Sequence, residues 1–151
     1  MTVQTTYDQT PAIGFNGMLA EQFSLSQVDS GLVESGPFTL GLAVKRGSTD
    51  NQYVACVADD AVEGAVIFSY HQENQPDGTF VYKDEAAVPV LTKGRYYAVA
   101  NAAIAVGAAI AYDPATEKVG AVVGATTTLA FATAKTSAGA DGDLLIVEVN
   151  F

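Results

Sequence analysis

The sequence predicts an all-β protein: a compact antiparallel β-sandwich or barrel with an extended N-terminal arm. Three observations lead there. Short runs alternating between apolar and polar residues recur at roughly 8–12 residue spacing, the pattern of half-buried strands. Clusters of Gly, Pro, Asn and Asp separate the runs and supply turns. The first 36 residues hold four acids and no Lys or Arg, and show no sustained period, yet carry large apolar side chains. We therefore divide the chain into an arm, 1–36, and a β-body, 37–151.

In the arm, Pro11, Gly14, Gly17, Gly31 and Gly36 break any regular element. Tyr7, Ile13, Phe15, Met18, Leu19, Phe23 and Leu25 are more apolar than a solvated tail would be. Such a segment gains order by lying on a surface. That surface could be its own body, a neighbouring copy or a larger assembly. A short helical turn around 17–23 is one local option.

The body opens with Phe38–Lys45. Phe38, Leu40, Leu42 and Val44 share one face, and Thr39, Gly41, Ala43 and Lys45 the other. Turn formers follow at Arg46–Asn51. A short strand is expected over Tyr53–Val57. Another spans Gly64–His71, with Val66, Phe68 and Tyr70 opposed to Ile67, Ser69 and His71. Gln72–Thr79 reads as a surface turn, and Phe80–Tyr82 as a short strand. Pro89 marks Val88–Leu91 as an edge or end strand, because proline has no N–H to donate. Thr92–Gly94 reads as a tight turn before a strand over Arg95–Ala100.

The stretch from Tyr96 to Val123 is apolar and dominated by Ala, Val and Gly. Ala favours helix, but Val99, Ile104, Val106 and Gly107 weaken that reading, and no charged face is present. Ala109–Tyr112 and Lys118–Val123 should pair across Asp113–Glu117 as a hairpin. Small side chains would let strands or protomers approach closely, which makes this region a candidate subunit seam. Thr126–Thr133 places Leu129 and Phe131 on one face. Leu144–Phe151 closes the chain with Leu145, Val147, Val149 and Phe151 aligned.

Composition narrows the function classes. The net charge is −10, from 17 acids against 7 bases. Nucleic-acid binding needs clustered Lys and Arg to neutralise phosphates, so no nucleic-acid partner is expected. No basic region precedes an apolar segment at the start, so no secretory signal is expected. The Ala-rich run falls short of the ~18–20 strongly apolar residues of a spanning helix, so no membrane partner is expected. The single cysteine, Cys56, lies between Ala55 and Val57 and reads as a buried, inert thiol.

Catalytic constellations are missing as well. The only histidine, His71, lies 15 residues from Cys56, and no nucleophile elbow surrounds any serine. Asp59-Asp60 and Asp84-Glu85 are adjacent acids, which on a strand point to opposite faces, so they do not flank a substrate. Asp141 and Asp143 lack the further ligands of a calcium loop. No phosphate-binding glycine loop is present. We expect no enzyme activity, no cofactor and no metal.

Several segments resemble those of one family. They are the arm Gln4-Thr5-Thr6-Tyr7 with Pro11, Ala12 and Gly14, the run Ala105–Asp113 with Lys118–Gly120, and the closing Ala138–Val149. With these the chain resembles the small cement, or decoration, proteins of tailed bacteriophage capsids. The resemblance implies a compact β-domain on the outer capsid surface of the virion. It implies a homotrimer that stabilises the shell by bridging neighbouring copies of the major capsid protein. Gln4, Tyr7, Pro11, Ile13, Phe15 and Met18 of the arm are then the candidate capsid contacts. Other readings to separate from this are a carbohydrate- or receptor-binding β-module of a phage fibre, and a tail-tube or other virion component.

Overall fold

The computed structural model describes residues 14–20, 26–69, 80–121 and 132–151. Among them there is no helix, and eleven strands carry the fold. The organising element is β7, Ala87–Val99, at 13 residues the longest strand. Its inward side chains, Val88, Val90, Tyr96 and Ala98, are buried. This is the alternation of a strand with one face on the core.

β7 pairs along both edges. On one edge lies β1, Gln27–Val33, antiparallel from Gln27↔Lys93 to Leu32↔Ala87. On the other lies β5, Gly64–Val66, opposite Leu91 and Val90. Further along that edge β11, Leu144–Asn150, pairs from Leu144↔Val99 to Asn150↔Lys93. β5 continues to β3, Ala43–Arg46, and β3 to β4, Gln52–Ala55. β4 returns to β1 through Leu32↔Gln52 and Val33↔Tyr53. Five strands thus close a barrel in the order β1, β4, β3, β5, β7, and no edge is left open in that ring. β11 and β10, Ala132–Ala134, extend the sheet beyond it. β2, Phe38–Thr39, pairs with β6, Val81–Tyr82. β8, Ile110–Asp113, and β9, Lys118–Ala121, form a hairpin.

The all-β fold stands, with one exception to its antiparallel character: β1 and β4 run parallel. The chain between them includes β2 and β3, long enough for the crossover that a parallel pair requires. β1 lies inside the stretch expected to be arm, and it is a full member of the barrel. Its alternation was hidden because the core face there carries Gly31 beside Val33. An added Cβ at Gly31 would lie 2.6 Å from the Tyr53 ring and 2.7 Å from the Asn51 carbonyl. Glycine occupies a core position because the tyrosine fills the space.

Four local expectations change. Phe38–Lys45 is not one strand, because Gly41 takes φ +79° and separates β2 from β3. The Gly41 N–H donates to the Val66 carbonyl at 2.8 Å, and Asn16 Nδ2 donates to the Leu40 carbonyl at 2.8 Å. Thr92–Gly94 is not a turn, because β7 passes through it. Gly94, at φ +137°, bends the strand beside the register shift between Gln27 and Val28. Pro89 is not at a strand end. It lies one residue past the last β5–β7 pair, and its carbonyl accepts from Ile67 N at 3.2 Å. The region 100–109 is neither helix nor continuous strand. It is held by isolated bridges, Ala100↔Val119, Ile104↔Ala138 and Ala109↔Thr133.

The hairpin across Asp113–Glu117 and the closing strand are found as expected. Asp113 closes the turn, accepting from Ala115 N at 2.9 Å and Thr116 Oγ1 at 2.8 Å. Most of Thr126–Thr133, including Leu129 and Phe131, lies outside the described residues, as do Tyr70 and His71 and the Gln72–Thr79 turn. In the core, Phe38, Leu91, Ile110 and Leu145 pack with four fully buried tyrosines, Tyr53, Tyr82, Tyr96 and Tyr112. Two of their hydroxyls donate to named acceptors: Tyr82 to the Ile67 carbonyl and Tyr53 to Asp29 Oδ2, both at 2.8 Å. A phenol is cheaper to bury when its hydrogen bond is kept.

Candidate functional site

Of the candidate capsid contacts, Phe15 and Met18 are described, while Gln4, Tyr7, Pro11 and Ile13 lie outside the described residues. Residues 14–20 rest on the body. Gly17 N donates to the Tyr97 carbonyl and Tyr97 N to the Met18 carbonyl, both at 2.8 Å. Ala20 N donates to the Arg95 carbonyl at 2.9 Å. The segment therefore continues the β1 edge of β7, with Leu19 bridged to Tyr96. On its other side Phe68 N donates to the Gly17 carbonyl at 2.9 Å. Glycine at 14 permits this approach, since a Cβ there would lie 2.7 Å from the Tyr97 ring.

The structure keeps Phe15 and Met18 close together through a turn, Met18 N to the Phe15 carbonyl at 3.0 Å. Met18 is half-buried. Phe15 is 42% exposed, and its ring meets Phe68 edge-on at 5.1 Å. Phe68 continues to Phe80 at 4.9 Å and Phe80 to Tyr82 at 5.3 Å. This aromatic row runs from the surface at Phe15 to the core at Tyr82. Edge-to-face pairs contribute about 0.5–1.5 kcal/mol each beyond burial. Sequence reading gave no sign of the row, because Phe15 lies 53 residues before Phe68, and Phe68 lies 12 before Phe80.

Cys56, Asp60, Asp141 and Asp143 are held by burial, hydrogen bonds or ion pairs. Burial pushes the Cys56 thiol up to about 12, so it stays protonated. Asp60 accepts from Lys45 Nζ at 2.6 Å and from Val57 N at 2.8 Å, which holds its carboxyl below the usual range. Asp143 accepts from Gly139 N and Ala140 N at 2.9 Å, while Asp141 pairs with Lys118 at 2.7 Å. The two aspartates thus do separate work. Among the described residues, no group of three or more His, Cys, Asp or Glu could hold a metal ion.

One sheet face stands out by its charge. On the outward side of β7, β11 and β10, Arg95 Nε lies 2.7 Å and Lys135 Nζ 3.1 Å from the carboxylate of Glu148. The Arg95 and Lys135 hydrogen bonds hold the Glu148 carboxyl below its usual range. Lys93 and Asn150 pair next to them. Beyond lie Tyr97, Val99, Leu144 and Ile146, of which Leu144 is 40% exposed.

No curated protein matches the chain. A family model does, over residues 3–150, and its description is structural cement protein (E217 gp24/Pam3 gp6). That match covers the barrel, the sheet extension and the docked segment. A barrel with interior side chains locked in packing and hydrogen bonds, and with its polar groups committed to turns and ion pairs, suits a structural component. The chain belongs to the family of phage structural cement proteins, virion components that associate with the capsid shell and stabilise it.

Proposed function

We propose that this chain binds the outer surface of the icosahedral shell as a homotrimer and bridges neighbouring copies of the major capsid protein. The family match over nearly the whole chain is the observation that carries the reading. The arm that makes the shell contact is, on this reading, shorter than 1–36, since residues 27–33 form β1 and 14–20 are hydrogen-bonded to β7. Gln4, Tyr7, Pro11 and Ile13 precede that root and remain the proposed contacts, with Phe15 and Met18 at its base. Several arms from one trimer would add by effective concentration, so each contact can be modest. Burial of the arm's apolar side chains would offset its ordering entropy. Purified protein mixed with undecorated capsids and imaged should give added density on the outer surface at three-fold positions. Bare capsids at saturating protein would end the proposal.

A further inference from the structure

The charge of this protein is arranged along β7. Just before the strand begins, Asp84 and Glu85 are exposed in the turn that leads into it. Glu34 is close by, since Gly36 N donates to Asp84 Oδ1 at 3.3 Å and Asp84 acts electrostatically on Glu34. Lys83 is the one base in this turn, so the group of four carries a net −2. Beyond the middle of the strand, Arg95 and Lys135, from β10's end, pair with Glu148, and the exposed Lys93 lies next to them opposite Asn150. These four charged groups carry a net +2, in a chain whose total is −10. Lys93 lies six residues beyond Ala87, roughly 20 Å at the usual rise per residue. The basic group borders the apolar strip of Val99, Leu144 and Ile146 on the outward face, where the neighbouring Tyr97 ring is already packed by Gly14. An apolar strip edged by charge is the make-up of a protein–protein interface.

We infer that the outward face of β7, β11 and β10 is the seam between copies of this chain, and that it receives the acidic Glu34, Asp84 and Glu85 end of the next copy. The inference rests on the trimer reading and specifies its contact. A second copy is the occupant that the charges favour. An acidic chain of this composition approaches its own kind with least repulsion where basic and acidic groups meet. Two copies joined face to face would set six bases against two acids. A two-fold self-contact of this face is therefore disfavoured, whereas a head-to-tail contact is complementary, and repeated by the three-fold rotation of the trimer reading it closes into a ring. The sequence-based candidate, the small-residue run from Tyr96 to Val123, contributes Val99 to this seam.

Solution mass by light scattering, at low and high salt, tests the seam. The wild type should have a multiple of the 15.6 kDa chain mass at low salt and lose mass as salt is added. Lys93→Glu with Lys135→Glu should give monomer at low salt, with circular dichroism unchanged. Adding Asp84→Lys and Glu85→Lys to that variant should restore the oligomer, because every seam is then complementary again with the signs exchanged. A repacking defect would not be rescued this way. A wild type monomeric at every salt concentration, an oligomer indifferent to the double reversal, or a quadruple variant that stays monomeric overturns the seam. Shell binding measured in parallel separates the two ideas. Normal decoration with an unaffected mass removes this seam and leaves the cement reading, while an oligomer that ignores shells removes the cement reading and leaves the seam.

Discussion

Asp29, Tyr53 and Arg46 show how single side chains hold the barrel where β1 meets β4. The Tyr53 hydroxyl donates to Asp29 Oδ2 at 2.8 Å, Arg46 Nη2 reaches the same oxygen at 3.0 Å, and the guanidinium lies 4.8 Å from the Tyr53 ring centre. Tyr53→Phe keeps the ring and removes the hydroxyl, so denaturant unfolding should show a loss of about 1 kcal/mol. The Tyr53 hydrogen bond, first, then the Ser30 N–H and Arg46, hold the Asp29 carboxyl below its ordinary 3.8. A depressed carboxyl contributes stability above its unfolded value, and that contribution is lost as pH falls through the folded one. The Phe variant should therefore lose less stability than the wild type on acidification below about pH 4. An equal loss would mean that the hydroxyl does not set the Asp29 titration.

The alkaline side follows from the same side chains with the sign reversed. Burial raises Tyr53 and Tyr82 from 10.0 to about 12, and Cys56 from 9.0 to about 12. A raised group contributes stability that is complete below its unfolded value and is lost as pH climbs through its folded value. Unfolding free energy should hold up to about pH 9 and decline steeply toward pH 12. Denaturant titrations at stepped pH would check this, and a flat profile to pH 12 would contradict the burial of these groups.

Among the elements, the break between β2 and β3 joins two parts of the chain. Gly41 at φ +79° puts its backbone where the Asn16 side chain packs, and an added Cβ would overlap Asn16. Gly41→Ala should cost about 1–3 kcal/mol, through left-handed strain and displacement of Asn16. If its melting temperature matched the wild type, residues 14–20 would not be docked as described. Leu42, 5% exposed, follows the break directly. Leu42→Ala should cost about 2–5 kcal/mol. Leu42→Asp, which buries an unpaired charge, should leave the protein unfolded at room temperature by circular dichroism. A soluble, folded Asp variant would place Leu42 outside the core.

For the whole molecule, the segment that matters is 17–20, which is hydrogen-bonded to β7 and to Phe68. Deleting 1–13 should abolish capsid binding. Deleting 1–20 should also destabilise the body. It removes the four backbone hydrogen bonds of Gly17, Met18 and Ala20 to Tyr97, Arg95 and Phe68, and the Asn16 bond to Leu40. Each is worth about 1 kcal/mol net. Thermal melts and capsid pull-down of the two truncations would separate the roles. Equal melting temperatures would mean that residues 14–20 add nothing to the fold.

The sequence by itself determined the all-β class, the β8–β9 hairpin, the closing strand and the family. Those features are local: Leu145, Val147 and Val149 alternate, Asp113-Pro114 turns, and the segments quoted for the resemblance are contiguous. Only the tertiary structure decided that the strands close a barrel, that β1 belongs to it, and that Asn16 and Gly41 meet. Gly31 looked like a break because nothing near it in sequence reveals the Tyr53 ring that fills its space. Gly94 and Pro89 looked like ends because a bend and a missing N–H leave the same residue signature as a turn. The aromatic row from Phe15 to Tyr82 and the basic face of Lys93, Arg95 and Lys135 are sums over distant residues. Their members come from separate stretches of the chain, and it is the pairing of β7 with β11 and of β11 with β10 that brings the charges onto one face.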